Sequence, residues 1–361
     1  MGVEDFAIEN GVLARYKGAG GDVAIPEGVK KIGEDAFFGS SSLRSVTIPE
    51  GVTEIGESAF ESCESLESVA IPEGVREIGE GAFAGCRSLK TISIPEGVAE
   101  IGESAFTWCS SLESVTIPGS VTEIGCHAFE GCEYLESVSI PEGVTEIGES
   151  AFGSCDSLIS ATIPGSVTEI GESAFESCES LESVTIFEGV KKIGRDVFCD
   201  CDSLKSVTIP EGVTEIGMGA FFGCSSLESV AIPGSVREIG KDAFRDCGSL
   251  GSISIPEGVV KIGEGAFYRC SSLESVAIPE GVTEIGAWVF YGCESLKMIS
   301  IPGSVREIGK DAFDECPSLA RVVVLGEALP KGLAIGPDTA LVSPRLSINA
   351  PGAAPRDRME W

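Results

Sequence analysis

Fourteen cysteines, one histidine and 57 acidic side chains are the groups of this chain that could carry chemistry. A single histidine excludes any mechanism that needs two. His127 follows Cys126 directly, but a nucleophilic thiol needs its base across from it and a third group to orient that base. Adjacent residues on a turn do not face each other in that way. Paired carboxylates cleave glycosides, yet a working pair is singular and held in two different environments. Here Glu54, Glu77, Glu100, Glu123, Glu146 and Glu169, and likewise Glu57, Glu80 and Glu103, recur at a constant interval and read as a solvated face. Zinc sites use close cysteine pairs with a second pair or histidines. Only Cys199 and Cys201 lie that close, and no partners follow. No calcium loop and no GxxxxGK[ST] phosphate loop is present. The expectation is therefore a protein without catalytic residues, metal or cofactor. A formal charge of -32 also opposes binding to a phosphate backbone.

The elements that position these groups follow from one period. Isoleucine recurs from Ile25 to Ile301 at intervals of 23 residues, followed by proline in every case except Ile186-Phe187, so thirteen units cover 25–323 of the 361 residues. Ile48–Ala70 is representative: IPEGVTEIGESAFESCESLESVA. Positions 1, 5, 8, 9, 13 and 19 of the unit are invariably Ile, Val, Ile, Gly, Phe and Leu. One unit cannot bury these side chains alone. Stacked copies bury them in a continuous core, which by itself demands their identity. The Ser-Val-Thr-Ile stretch ending each unit and opening the next predicts a short strand, with positions 22 and 1 inward and 21 and 23 outward. Proline at position 2 and a glycine at 3 or 4 predict a turn. Gly at position 9 predicts a second bend with positive φ. Ala-Phe-x-x-Cys-x-x-Leu has helical or 3₁₀ spacing and predicts the return segment.

Twelve of the fourteen cysteines occupy position 16, from Cys63 to Cys316. A ladder of small, buried, inert thiols is expected, because parallel neighbours disfavour the torsion that a disulfide requires. Cys126 and Cys199 lie off the ladder, at positions 10 and 14, and are the candidate reactive thiols.

The unit Leu66, Val69, Ile71-Pro72, Val75, Ile78-Gly79, Ala82-Phe83, Cys86, Leu89, repeated along 25–323, closely resembles the BspA-type leucine-rich repeat. The resemblance implies a right-handed curved solenoid of short parallel strands and turn, 3₁₀ or helical return segments. It also implies a binding module of the surface or secreted kind and brings no catalytic residues. The leading segment Phe6–Leu13 is similar to the N-terminal segment common in bacterial members. Within 1–24, Asn10-Gly11 between apolar residues predicts a hairpin cap. Residues 324–347 are expected to cover the last turn and 348–361 to form a flexible tail. The opening residues lack the apolar core of a signal peptide. The leaderless chain is accordingly expected in the cytoplasm, or at the cell surface or outside if a leader was removed. A monomer without membrane insertion is expected.

In a solenoid, the outward departures from the repeat carry information. Tyr268 and Tyr291 share position 14 one unit apart, Trp288 holds position 11 beside Tyr291, and Phe222 and Arg245 precede Tyr268 in the same column. Aromatic and arginine side chains of this kind form binding hot spots. They are the candidate binding residues, although rings can also merely cover a core edge. Lys241, Arg269 and Lys310 make this end less acidic. The Ser/Thr field of Ser114, Thr116, Ser183, Thr185, Ser206 and Thr208 is the other candidate face. A protein partner and adhesion are the leading expectation. A carbohydrate-binding module and an intracellular scaffold are the alternatives.

Overall fold

The computed structural model describes residues 3–344. Each 23-residue unit makes one turn of a β-solenoid. The strand expected at the unit boundary is present, as in Ser68–Ala70 and Ser137–Ser139, with an exposed-buried-exposed alternation. A second strand, not anticipated from the sequence, occupies positions 7 and 8, as in Glu77–Ile78. Two residues are too few to establish a period of two, so only stacking reveals them. The position 7–8 strands line up in one 15-stranded sheet. Those at positions 21–23 form successive sheets of 3, 8 and 4 strands along the other face. Pairing is parallel and strictly in register: Ser160 lies on Ser183, Thr162 on Thr185 and Glu100 on Glu123. Every residue thus meets its own copy 23 positions away.

At the N-terminal end, β1 (Phe6–Glu9) and β2 (Val12–Tyr16) pair antiparallel around Asn10-Gly11, both with positive φ. That geometry suits the tight hairpin turn of an Asn-Gly dipeptide. β2 then joins the long sheet by parallel pairing of Leu13 with Ile32, and β3 (Gly21–Ala24) joins the other face through Val23 and Val46. At the far end the strand Ala340–Val342 pairs with Arg321–Val324, while Lys331 bridges to Glu307. Residues 325–344 thereby extend both faces by one turn. The expected tail at 348–361 lies outside the described residues.

The return segment is a series of tight turns rather than a helix. Within one unit, Ala36 N–H donates to Gly33 O, Phe38 to Asp35, Ser40 to Phe37 and Leu43 to Ser40. The reason lies at positions 11 and 15, which are left-handed in every unit, from Asp35 (φ 56°) and Gly39 (φ 67°) to Asp311 (φ 54°) and Glu315 (φ 55°). A left-handed residue every fourth position ends any right-handed helical run before it propagates. It also aims the N–H groups of positions 11, 13 and 15 at the next turn: Ser58 donates to Glu80 O, Phe60 to Ala82 and Ser62 to Ala84.

The position 9 glycines differ from the sequence reading. None has positive φ. Their role is close approach: a Cβ on Gly148 would stand 2.5 Å from the backbone N of Cys126, and one on Gly79 2.8 Å from the N of Glu57. Only glycine lets consecutive turns come this near at that bend.

The inward columns fill the interior. From Phe37 to Phe313 the rings stack one per turn with centroids 4.8–5.9 Å apart, and Tyr16 continues the stack on Phe37 at 5.0 Å. All twelve position 16 cysteines are free thiols that donate to the carbonyl of the phenylalanine in the preceding turn, as Cys155 Sγ does to Phe129 O at 3.3 Å. Burial pushes the Cys109 and Cys178 thiols up to about 12, the state of an inert, protonated side chain.

Candidate functional site

Positions 11 and 15 impose a chemical tax on the surface. A left-handed conformation costs an ordinary L-residue roughly 1–2 kcal/mol, and these columns carry Gly, Ser or Asp except at Trp108, His127, Arg269, Trp288 and Glu315. Three of the five exceptions lie in the last three repeats, among the aromatic departures. Bulky side chains held in a costly conformation are not explained by core packing, which makes these positions the candidates for a surface role.

There the structure brings the sequence candidates together. From Phe222 to Tyr291 the position 14 side chains lie one per turn and contact each other in series. The Arg245 guanidinium lies 5.6 Å from the Phe222 centroid and 4.4 Å from that of Tyr268. Asp246 at 3.3 Å and Asp242 at 3.6 Å hold its charge. Tyr268 stacks on Tyr291 at 4.9 Å with planes 7° apart. Phe222, Arg245, Tyr268 and Tyr291 therefore form one continuous ladder, each half-buried. Trp288 stands apart from it at position 11, where its Nε1 donates to Asp311 at 3.3 Å. Its carbonyl accepts the N–H of Tyr291 through a turn.

Arg269 is a member that its charge alone did not reveal. Its guanidinium lies 5.4 Å from the Tyr268 ring, and its stem passes over Gly292, where a Cβ would meet it at 3.0 Å. Beside the ladder runs an open groove of about 660 Å³, lined by Asp246, Arg269, Tyr291, Glu294, Glu315 and Pro317, among others. Burial first, then Glu315, Tyr268 and Asp314, hold the Tyr291 phenol above its ordinary value, while Arg269 acts the other way.

The remaining candidates lie elsewhere. His127 Nδ1 is 2.9 Å from Glu130 Oε2, so its imidazole is directed to a carboxylate and not to Cys126. Cys126 is partly exposed in a shallow acidic groove with Glu146, Glu149, Glu169 and Glu172. Cys199, expected at the surface, is buried. Burial and then the charges of Asp200, Glu176 and Asp196 raise its thiol well above the ordinary range, the opposite of a poised thiolate. Trp108 and Tyr134 were overlooked in the sequence and are 50% and 60% exposed. The Trp108 ring lies flat over Gly131, where a Cβ would stand 2.5 Å from it. The signal was present: Trp108 replaces the small residue of position 15.

Among the described residues no group of three or more His, Cys, Asp and Glu side chains gathers as a metal site. No described helix is long and apolar enough to cross a membrane.

Comparison with known proteins gives one consistent answer. The family model of the BspA-type leucine-rich repeat region, in six copies, matches residues 16–125, 99–227 and 191–320. A leucine-rich repeat protein of Bacteroides ovatus is 33% identical, with a TM-score of 0.82 over 92% of this chain and 87% of that one. A leucine-rich cell surface protein of Faecalibacterium prausnitzii is also 33% identical, with a TM-score of 0.58 over 90% and 92%. A leucine-rich repeat protein of Eubacterium ventriosum, at 22% identity and a TM-score of 0.55, shares the fold. No curated protein matches. With its period, its stacked phenylalanine and cysteine columns and these matches, the chain belongs to the BspA-type leucine-rich repeat family.

Proposed function

We propose that this repeat scaffold is non-enzymatic and binds a protein partner through the Phe222, Arg245, Tyr268, Trp288 and Tyr291 surface, with Arg269 added. The observation that carries this reading is the ladder itself: aromatic and arginine side chains stacked in register along an open groove. Such side chains give large contact area with little conformational freedom to lose, and they dominate interfaces. The costly left-handed conformations of Arg269 and Trp288 support the same reading, since core packing does not require those side chains there. An acidic chain also suits a partner of opposite charge. The likeness to a cell surface protein supports adhesion at a cell exterior. A cytoplasmic interaction scaffold is the alternative location, and fractionation of native-length protein between medium, envelope and cytosol distinguishes the two.

The test is cross-linked capture from bacterial and host-cell lysates, using the intact chain beside a Tyr268→Ala, Trp288→Ala, Tyr291→Ala variant. Partners retained by the intact chain alone support the surface. Equal capture by both overturns it and moves the site to the Ser/Thr face or the acidic columns. A second reading, a carbohydrate-binding module, has its own observation. Trp108, flat on Gly131, and nearby Tyr134 offer exposed aromatic faces of the kind on which sugar rings stack. A glycan panel probed with the intact chain and Trp108→Ala decides that reading.

A further inference from the structure

The ladder already contains one filled cation slot. Arg245 lies between the rings of Phe222 and Tyr268, and Asp242 and Asp246 complete its surroundings. At the end of the ladder, in the twelfth and thirteenth repeats, a ring and carboxylates again come together, here without a cation from the same column. Tyr268 covers one face of Tyr291. The other face is turned toward the thirteenth repeat, where the column continues as Asp314 and the neighbouring column as Glu315. Glu294 stands in the same groove. These three carboxylates are exposed, and among the described residues none has a salt-bridge partner. The backbone places them beside the ring: Asp314 O accepts the N–H of Gly292 at 3.0 Å, and Glu315 lines the same groove as Tyr291. Arg269 is the opposing charge in this groove, and its guanidinium lies 5.4 Å from the Tyr268 ring.

We propose that the uncovered face of Tyr291 receives a guanidinium or ammonium side chain from a basic segment of a partner protein, held by Glu294, Asp314 and Glu315. A cation over an aromatic face gains from the ring quadrupole, and the carboxylates add charge-assisted hydrogen bonds. A guanidinium gains more than an ammonium, because its plane stacks on the ring while its edge reaches the carboxylates. The inference rests on the protein-binding reading above and names the chemistry of that partner.

The chain has four tyrosines, Tyr16, Tyr134, Tyr268 and Tyr291, so 3-fluorotyrosine labelling yields four ¹⁹F resonances that Tyr→Phe variants assign. The probe is N-acetyl-arginine methylamide, and its neutral control is N-acetyl-citrulline methylamide. The expected result is a saturable shift of Tyr291, smaller at Tyr268 and absent at Tyr16 and Tyr134, with the arginine probe alone. Glu315→Gln should weaken binding about fivefold, and Arg269→Ala should strengthen it. An equal response to the citrulline probe, an equal shift at Tyr134, or no shift overturns the proposal. Weaker binding by Arg269→Ala also overturns it, since the groove would then select an anion. A partner captured through the aromatic surface while the arginine probe stays silent refutes this slot and leaves the protein-binding reading intact.

Discussion

Gly148→Ala separates two accounts of a conserved glycine column within one molecule. If position 9 were merely a flexible bend with ordinary φ, alanine would reduce the freedom of the unfolded chain and stabilise the fold by about 0.4–1 kcal/mol. The structure leads to the opposite sign. The new Cβ would stand 2.5 Å from Cys126 N, 2.6 Å from Gly125 C and 2.8 Å from Cys126 Cα. All three are backbone atoms of the preceding turn, so no side chain can rotate away. Relief requires those two turns to part, which lengthens the bond from Gly148 N to Ile124 O, now 2.8 Å, and loosens the stack of Phe129 on Phe152. Overpacking of this kind costs about 1–3 kcal/mol, and more where the obstruction is rigid. The expected loss is therefore roughly 2–3 kcal/mol. The assay is urea unfolding followed by far-ultraviolet circular dichroism. Gly119→Ala is the control, because a Cβ there meets nothing within 4 Å and its φ is not positive. Gly119→Ala should leave the midpoint unchanged or raise it. A midpoint for Gly148→Ala at or above that of the unmodified chain would refute the close-approach argument.

Phe152 is fully buried between Phe129 and Phe175, so Phe152→Ala should cost about 3–5 kcal/mol, while the exposed neighbour Glu149→Ala should shift the urea midpoint negligibly. The thiol ladder predicts alkaline lability. Burial raises Cys109 and Cys178 to about 12 from an ordinary value of 9.0. The unfolded chain therefore releases those protons first, and stability is present below pH 9 and lost as pH rises toward 12. Each buried thiol should cost about 1.4 kcal/mol per pH unit across that window. Unfolding free energy measured from pH 8 to pH 10.5 should fall steeply, and a flat profile would contradict a protonated, buried ladder. In the long sheet, Glu100, Glu123 and Glu146 lie in register with no intervening cation, and burial with those two neighbours raises the Glu123 carboxyl. Lys192 answers Glu215 at the equivalent site. Glu123→Lys should then stabilise the fold by about 0.5 kcal/mol at low salt, and thermal melts in 0.5 M NaCl should erase the gain.

Much of the fold was legible because stacking makes sequence and structure share one period. Ile48, Val52, Ile55, Phe60, Cys63 and Leu66 were assigned inward by identity alone, and all are buried. The second strand escaped notice because Glu54–Ile55 is two residues long and exists only by pairing with Lys31–Ile32 and Glu77–Ile78. The thiols were recognised as a ladder, but their donation to the phenylalanine carbonyl of the preceding turn spans 26 residues and leaves no local trace.

Of the candidate site, the sequence supplied the members and not their relations. Phe222, Arg245, Tyr268 and Tyr291 share a column by arithmetic, so their adjacency followed from the period. That Arg245 lies between two rings, that Arg269 folds onto Tyr268, and that Tyr291 shares a groove with Glu294 and Glu315 were decided by the tertiary structure. The physical reason is the same in each case. A strict repeat dictates which backbone positions meet, because every turn must satisfy its hydrogen bonds against the next. The direction of a long side chain at the edge of a turn depends instead on left-handed residues and on glycine gaps such as Gly131 and Gly292, which take effect only when neighbouring turns are already in place.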